Sequence, residues 1–520
     1  MKPPLLKLFI FFFCVFLFSV GAQNSGLQFK GDENFYFESA REMLRTGDLL
    51  TPRYMGKERF QKPILFYWLV LLPFKISGVS WYAARLPSII CGALCALLAF
   101  AMSNLLFKNR RAALFAALFT ATTPLYYRYA RLAVPDMALV FFITLALYFF
   151  LSFYKKKDGQ KGVLLFFAAA AVAFLIKGPV GLIIPLFIAV IFSLVRKEKR
   201  LFSPAGLFAG IAVFAVIVSP WFYFVYKVHG GAYLSHVWGR EVLQRIGYGY
   251  SGSLILGYLE GLFFYLGALI TKFFPYSLVM PFALLRSMRL LSSAPSDEIS
   301  EEGKSAHLFL VLWAVIGFFF FTFVAERRAH YLLALAPAAS VLISENLCAR
   351  FKKGNLVPAG IVSVLALLYI VITVSTPFGL FANKMEYAAK VIKAEYKEGD
   401  SIGIGSHGII PEELQVFFSV PMTNVKVSRG RDNTPDAKSA ERLLEFLNSK
   451  VRVFCVIKGK DYNAFVSPEE RKDLYILDSY YVWKRRIKLD GELRESLDIA
   501  RTRSLRDIFQ NEIYVVSNRK

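Results

Sequence analysis

The sequence predicts an all-α polytopic membrane protein, with about 11 transmembrane helices, that carries a C-terminal soluble α/β domain. The chain of 520 residues is 56% hydrophobic and only 19% charged, whereas soluble proteins carry about 25% charged residues. Apolar runs close to 20 residues recur up to about residue 376, and a run of this length can cross a bilayer as a helix. From about Lys384, helical patterns alternate instead with short β-rich runs.

We expect eleven spans joined by short polar loops. They cover residues 5–22, 81–106, 112–127, 137–154, 162–177, 179–195, 205–226, 270–286, 307–325, 330–349 and 356–376. The first span resembles a signal peptide, with Gly21-Ala22-Gln23 as a cleavage site. We favour an uncleaved anchor, because the residues that follow belong to the loop around which the chain is organised. Residues 254–269 contain Glu260 and predict a partly buried or interfacial helix.

The lysines and arginines of short loops set the orientation. With the N-terminus inside, the inner loops hold basic clusters at residues 108–111, 155–161, 196–200 and 350–353. Eleven spans then place the C-terminal domain outside. The outer loops are basic as well, at Arg128, Arg131, Lys177, Arg240, Arg245, Arg327 and Arg328. A basic outer cavity suits an anionic lipid or phosphate, although contact with lipid headgroups explains any single arginine equally well.

The first outer loop, residues 23–80, is the stretch on which we centre the function. It opens with Asp32 and Glu33, and it continues as an amphipathic helix from Asn34 to Arg45. An extended segment and the dipeptide Lys62-Pro63 follow. A polar loop with carboxylates, held between hydrophobic segments, is a typical place for chemistry at a membrane face.

Two further outer positions have both a structural and a functional interpretation. Asp136 follows Pro135 at the outer end of the fourth span, so it is either a helix N-cap or a second carboxylate that faces Asp32. Lys177 lies in a sharp turn and is either a phosphate contact or an interfacial lysine that extends toward the headgroups.

The later outer loops are rich in charge. Arg240, Glu241 and Arg245 occur at helical spacing, which can direct two guanidiniums to one anion but is also typical of a solvated helix. The turn from Glu326 to Tyr331 contains two arginines and a histidine. Such density at a membrane edge is costly unless the charges are paired.

The C-terminal domain, residues 381–520, has predicted strands at 401–405, 451–457, 474–483 and 512–517. Ser467 and Glu470 have the spacing of a capping box at a helix start. The five cysteines show no disulfide or metal-binding spacing. The sequence contains no P-loop and no G-x-G-x-x-G motif, so nothing indicates ATP hydrolysis.

The motifs of the first two thirds of the chain, in their order, resemble those of a known family. They are Asp32-Glu33, A-R-E-M-L, T-P-R-Y, K-P-x-L-x-Y-W, A-A-R-L-P-S, R-L-A-x-P-D-M and K-G-P-V-G-L, within residues 30–345. This series resembles the motifs of bacterial membrane glycosyltransferases related to protein O-mannosyltransferases. Within that group it is similar to the aminoarabinose transferases that modify lipid A. The resemblance implies a GT-C architecture for residues 1–380, a catalytic first outer loop with two interfacial helices, and a polyprenyl-phosphate-linked sugar as donor.

The resemblance also implies roles for single residues. Asp32 and Asp136 match the family's important carboxylates, whereas Lys62, Arg245 and Tyr331 match its donor-phosphate contacts. Relatives often have Glu and His, associated with a bound metal, where this chain has Gln61 and Arg240. We therefore expect no metal cofactor and assign the corresponding positive charge to Arg240.

The sequence thus predicts a glycosyltransferase of the bacterial inner membrane that moves a sugar from a polyprenyl-phosphate donor to a hydroxyl or phosphate acceptor on lipid A, another glycolipid, a polysaccharide or a protein. We expect Asp32 to act as the base or to position the acceptor, and Asp136 to orient the acceptor or the loop. Glu33, Arg131, Lys177 and Glu241 are expected to have supporting roles. The alternatives are a transporter or flippase of lipid-linked sugars, which would more often show internal repeats and broken midplane helices, and a non-enzymatic scaffold. No nucleic-acid partner is expected.

Overall fold

The computed structural model describes residues 3–23, 32–156, 161–197, 203–231, 254–292, 300–322, 326–351, 356–375, 385–407, 422–428, 436–483 and 510–519, with residues 409, 414 and 418. The chain forms two compact units. The first combines Met1–Asn24 with Ser39–Ser375, and the second combines Ser25–Glu38 with Thr376–Lys520. Each is described by itself.

The first unit is a bundle of apolar helices. Its longer helices within the described residues are α1 (Pro3–Ser19), α3 (Leu65–Ser77), α4 (Trp81–Phe107), α5 (Arg110–Thr122), α7 (Asp136–Lys156), α8 (Lys161–Lys177), α9 (Val180–Val195), α10 (Pro204–His229), α11 (Leu254–Lys272), α12 (Met280–Ser292), α13 (Glu301–Thr322), α14 (Ala336–Arg350) and α15 (Leu356–Ser375). The helix α2 (Asp32–Thr46) belongs partly to each unit, and a short helix, α6 (Pro124–Tyr129), follows α5.

Side-chain caps fix several of the helix boundaries. Ser80 Oγ accepts a hydrogen bond from the amide of Ala83 at the start of α4. Lys108 has a left-handed conformation, with φ 52°, and ends α4. Asn109 Oδ1 then accepts from the amides of Arg111 and Ala112 and starts α5. These caps satisfy backbone groups that a helix end leaves without an intrahelical partner.

Five helices in the described parts of the chain are long and apolar enough to cross a membrane, and a sixth span exists if one bent pair is counted as a span. The protein is therefore a mostly helical, multi-pass membrane protein. Two of the eleven predicted spans need correction. The predicted span 270–286 is wrong, because α11 and α12 meet there at a bend of 119°. The predicted span 112–127 breaks at Thr123, whose extended conformation is the one favoured before proline.

One end of the bundle holds a group of ion pairs that we call the inner cluster: Lys155, Arg196, Glu301, Glu302 and Lys304. Arg196 lies 3.2 Å from Glu301, and Lys155 lies 3.6 Å from Glu302. These contacts join the ends of α7 and α9 to the start of α13. The sequence predicts this end to be inner, from its lysines and arginines.

The predicted loop 23–80 is largely structured. The helix expected from Asn34 to Arg45 is present as α2, which begins two residues earlier, at Asp32. Its buried residues include the carboxylates Glu33, Glu38 and Glu42. A small hairpin follows, in which β1 (Arg53–Tyr54) pairs with β2 (Lys57–Glu58). Met55 and Gly56 both have positive φ in its turn, as a tight two-residue hairpin requires.

The first helix is an integral part of the bundle. Cys14, Leu17 and Phe18 of α1 are fully buried. The guanidinium of Arg85 donates to the carbonyl of Ala22 at 2.8 Å, and Arg131 donates to the carbonyls of Phe18 and Val20. Two buried arginines thus bind carbonyls at and just beyond the end of α1. The contacts attach Arg131 to the end of α1.

The second unit contains a five-stranded mixed sheet of order β4-β3-β5-β7-β6. Its strands are β3 (Ser401–Ser406), β4 (Thr423–Val427), β5 (Val453–Lys458), β6 (Tyr475–Trp483) and β7 (Gln510–Ser517), and its helices include α16 (Met385–Glu395), α17 (Ala437–Leu447) and α18 (Gly459–Phe465). β3 is parallel to β4 and β5, whereas β7 is antiparallel to β5 and β6. Apolar clusters built around Ile402, Phe454 and Val515, and around Leu443, Cys455 and Val516, lie on alternate sides of the strands.

The four predicted strands are present in this sheet, but β4 was missed. β4 is a short edge strand with the polar sequence Thr-Asn-Val-Lys-Val, so it lacks the apolar run that identifies central strands. The expected capping box forms: Glu470 accepts from the amide of Ser467 at 2.7 Å, and Ser467 Oγ accepts from the amide of Glu470. It precedes one turn of 3₁₀ helix, Glu470–Asp473.

Candidate functional site

At the opposite end of the bundle from the inner cluster, Asp136 and Lys177 form a buried ion pair. The carboxylate of Asp136 starts α7, and the ammonium of Lys177 ends α8. Their atoms Oδ1 and Nζ are 2.6 Å apart, and the two side chains are only 10% and 11% exposed. A negative charge at a helix start and a positive charge at a helix end both interact favourably with the helix dipole. Antiparallel packing of α7 and α8 brings these two ends together.

His330 adds a third chain segment to this pair. Its Nε2 lies 3.5 Å from Asp136 Oδ1, and its Nδ1 lies 2.9 Å from the hydroxyl of Tyr129. When Tyr129 donates to Nδ1, the ring proton resides on Nε2 and points toward the carboxylate, so the neutral imidazole satisfies both contacts. The result is a chain of polar contacts from Tyr129 through His330 to Asp136 and Lys177.

Tyr331 lies beside the same pair. The ammonium of Lys177 is 5.5 Å from the centre of its ring, within the range of a cation–π contact. The ring of Phe321 also stacks on that of Tyr331, with centroids 4.8 Å apart. We call Tyr129, Asp136, Lys177, His330 and Tyr331 the outer cluster. Its members come from four separate elements of the chain, and the sequence had indicated three of them.

The arginines next to this cluster form ion pairs. This agrees with the expectation that charges at a membrane edge are costly unless they are paired. Arg327 forms an ion pair with Glu260 at 2.9 Å and donates to the carbonyl of Gly257. Arg328 pairs with Glu326. These contacts connect the turn before Tyr331 to α11. They explain why so many charges can occur in one short turn.

The other predicted site residues fall in different settings. Asp32 and Glu33 occupy the first turn of α2, and Glu33 is only 2% exposed. Lys62 is half-buried beyond the hairpin, whereas Gln61 is exposed. The remaining predicted positions, Arg240, Glu241 and Arg245, lie outside the described residues. Among the residues that are described, no group of three or more His, Cys, Asp or Glu side chains could hold a metal ion.

Sequence reasoning missed a second polar contact group at the outer end. His229, the last residue of α10, has Nε2 2.7 Å from Thr51 Oγ1 and Nδ1 3.4 Å from Glu58 Oε1. Its ring also meets Phe60 edge-on, with centroids 5.0 Å apart. A signal existed, because the chain has only five histidines and this one directly follows an apolar span. The histidine that completes the outer cluster, His330, was noted only as part of a charged turn.

The apolar helices and the ion pairs at both ends of the bundle define a mostly helical, multi-pass membrane protein. The structure matches that of ArnT from Cupriavidus metallidurans bound to undecaprenyl phosphate, with a TM-score of 0.69 and 19% identity over 99% of this chain and 97% of that one. It also matches an oligosaccharyltransferase of Archaeoglobus fulgidus, with a TM-score of 0.53 and 15% identity over 88% of this chain and 71% of that one. At these identities the likeness establishes the fold.

The sequence of this chain is similar to those of known glycosyltransferases. A model of the dolichyl-phosphate-mannose-protein mannosyltransferase family matches residues 5–233. The chain is 28% identical to an uncharacterized protein of Aquifex aeolicus, over 62% of this chain and 60% of that protein. It is 25% identical to the undecaprenyl phosphate-alpha-4-amino-4-deoxy-L-arabinose arabinosyl transferase of Pseudomonas aeruginosa, over 65% of this chain and 58% of that protein. The chain spans about three fifths of the length of these relatives. These matches confirm the predicted resemblance to GT-C glycosyltransferases.

Proposed function

We propose that this protein is a glycosyltransferase that moves a sugar from a polyprenyl-phosphate-linked donor, with undecaprenyl phosphate as carrier, to an acceptor hydroxyl or phosphate. The observation that carries the proposal is the buried outer cluster, in which Asp136, Lys177 and Tyr331 meet from separate elements at one end of a GT-C bundle. The arabinosyl transferases among the relatives are named for undecaprenyl phosphate as their sugar carrier. Their names support undecaprenyl phosphate as the carrier here.

The reaction requires a base and positive charge. The acceptor hydroxyl transfers its proton to a carboxylate while its oxygen attacks the anomeric carbon, and the bond from that carbon to the phosphate oxygen breaks, so that polyprenyl phosphate leaves with the electron pair. We assign the base to Asp32. General-base assistance of this kind contributes roughly 10²–10⁴-fold, and preorganised charge at the leaving oxygen is often worth more.

The leaving phosphate needs cations that are already in place. We assign this role to Lys62, Arg245, Arg240 and Tyr331. Glu33, Arg131, Lys177 and Glu241 support these groups. Lys177 already neutralises Asp136 at 2.6 Å, so we assign Asp136 to orienting the acceptor and the surrounding loops. Attack by one activated hydroxyl predicts inversion at the anomeric carbon.

The proposal extends to the membrane arrangement. The chain crosses the bacterial inner membrane eleven times, with the bent pair of α11 and α12 counted as one crossing in place of the span 270–286. Residues 23–80 form the catalytic outer loop, and residues 381–520 form a soluble domain on the periplasmic side. The acceptor is lipid A or another glycolipid, a polysaccharide or a protein. The positions of Gln61 and Arg240 support a reaction without a metal ion.

The test is transfer of labelled sugar from an undecaprenyl-phosphate donor in membranes that contain the wild type or Asp32→Asn. We expect transfer by the wild type, none by the variant, and no effect of a chelator. Transfer that a chelator abolishes contradicts the metal-free reaction. Equal transfer by both proteins removes Asp32 from the role of base. The labelled product identifies the acceptor.

A flippase of lipid-linked sugars is the second candidate, and the bent pair of α11 and α12 is the observation that favours it, since broken helices line the substrate paths of many transporters. Reconstituted vesicles separate the two. Movement of the intact lipid-linked sugar between leaflets, without formation of a new glycosidic bond, supports the flippase and contradicts the transferase.

A further inference from the structure

His229 joins two segments that are far apart in sequence. It ends α10, and its ring accepts or donates a hydrogen bond at 2.7 Å to Thr51, which immediately precedes the hairpin. The same ring lies 3.4 Å from the carboxylate of Glu58 in the second strand of that hairpin. The His229 side chain is only 9% exposed. One imidazole therefore contacts the hairpin segment on both sides of its turn.

The hairpin is a small element. Each strand is only two residues long, and a two-stranded ribbon is marginally stable by itself. The carbonyl of Pro52 accepts from the amide of Arg59 at 2.8 Å and closes the loop. Arg53 pairs with Asp48 at 3.5 Å, but both side chains are about one third exposed. The amide of Gly56 reaches Glu42 only at 3.4 Å.

The hairpin leads directly to Lys62. Phe60, whose ring meets that of His229, lies two residues before this lysine. The backbone from Glu58 to Lys62 is therefore attached to the end of α10 at Glu58 and Phe60. A shift of the hairpin moves the start of the segment that carries Lys62.

We propose that His229 is a positioning residue for the donor-phosphate site, because it attaches the hairpin of residues 51–60 to α10 and so sets where Lys62 meets the phosphate. This inference rests on the proposed function for the role of Lys62. The attachment itself rests only on the contacts of His229 with Thr51, Glu58 and Phe60. The two parts are measured separately.

The first measurement is the kinetics of transfer with varied donor. Loss of the hydrogen bond to Thr51 and of the contact with Glu58 in His229→Ala is expected to raise the donor KM about tenfold, while kcat and the acceptor KM change little. His229→Gln keeps a polar group for Thr51 and is expected to recover part of the donor KM. The matched control is His307→Gln, which alters a buried histidine near the inner cluster that contacts Ser287.

The second measurement does not depend on activity. Lys57 is exposed in the hairpin and Arg59 is half-buried beside it, so both offer sites for trypsin. Release of the hairpin in His229→Ala is expected to raise the cleavage rate between residues 57 and 60 several-fold, whereas His307→Gln leaves it unchanged. Thr51→Val removes the same hydrogen bond to His229 by changing its partner in the hairpin segment. This variant replaces His229→Ala in the cleavage measurement if His229→Ala does not fold.

The outcomes separate the two proposals. Unchanged cleavage overturns the attachment, and faster cleavage with an unchanged donor KM overturns the positioning role. Equal losses in kcat and in the use of both substrates indicate general damage and also overturn it. If the wild type transfers no sugar, the proposed function fails and the role at the phosphate fails with it. The cleavage rates then still decide whether His229 holds the hairpin.

Discussion

The two ends of the helical bundle both carry ion pairs, but they bury them to very different degrees. In the outer cluster, Asp136 and Lys177 are about one tenth exposed. In the inner cluster, Glu301 and Glu302 are 63% and 70% exposed. Exposed pairs contribute little to stability, whereas a buried charge that loses its partner is strongly destabilising. The carboxylates of the inner cluster are therefore open to water, whereas the charges of Asp136 and Lys177 are built into the structure around the proposed site.

The largest expected effect is at Asp136. Asp136→Ala leaves the ammonium of Lys177 without its closest partner, which costs about 3–5 kcal/mol for a buried pair. We expect a clear fall in the unfolding temperature in detergent and loss of transfer. The double variant Asp136→Leu with Lys177→Met removes both charges and is expected to regain most of the stability without regaining transfer. A double variant that transfers sugar normally would contradict a functional role for the pair.

A second prediction concerns Arg131, whose buried guanidinium binds carbonyls of Phe18 and Val20. Arg131→Gln shortens the side chain and removes a charged donor, so we expect a loss of roughly 1.5–3 kcal/mol, typical of charged hydrogen bonds. Thermal unfolding measures the change. Arg289→Gln, at an exposed position of α12, is the control. N-terminal sequencing of the mature wild type is expected to find residues 1–22 retained, and a start at Asn24 would contradict the anchor.

The third prediction concerns His330, which connects Tyr129 to Asp136. His330→Ala removes both contacts, and we expect about a tenfold rise in the acceptor KM from their loss. Tyr129→Phe removes the hydroxyl alone, so its effect should have the same direction and a smaller size. Kinetics with varied acceptor measure both variants. A change confined to the donor KM would assign His330 to the phosphate instead of to Asp136.

The smallest effect is expected at the inner cluster. Glu301→Gln breaks the exposed pair with Arg196, and we expect a change in the free energy of unfolding below about 1 kcal/mol, with unchanged transfer. Added salt should reduce even this difference, since it screens exposed charges. Thermal unfolding at low and high salt measures it. A loss comparable to that of Asp136→Ala would remove the distinction between the two ends.

Much of the fold follows from the pattern of apolar runs, and the failures have local causes. The central strand Val453–Lys458 has five consecutive apolar residues, and the strand Ser401–Ser406 has isoleucine at alternate positions, so their sequences identify them. The predicted spans 270–286 and 112–127 were wrong because prolines at residues 275 and 124 interrupt apolar sequence that hydropathy alone joins together. Hydropathy measures transfer into lipid, whereas the helix ends depend on backbone geometry.

The candidate site was predicted residue by residue but not as an arrangement. Asp136, Lys177 and Tyr331 were each singled out, yet the sequence left an N-cap, an interfacial lysine and a charged turn as alternatives. In the structure Lys177 forms an ion pair with Asp136, His330 contacts Asp136, and Tyr129 contacts His330. These contacts join residues that are up to 201 positions apart in the chain, so no local pattern can contain them.

The sequence by itself determined that this chain is a multi-pass helical membrane protein, that a segment rich in carboxylates follows its first span, and that its motifs resemble those of GT-C glycosyltransferases. These properties depend on composition, local periodicity and short motifs. Only the tertiary structure decided which charges are buried together, that Arg85 and Arg131 bind the end of the first helix, and that His229 holds the hairpin before Lys62. Burial and pairing depend on how distant helices pack, and packing brings together side chains whose separation in sequence carries no signal.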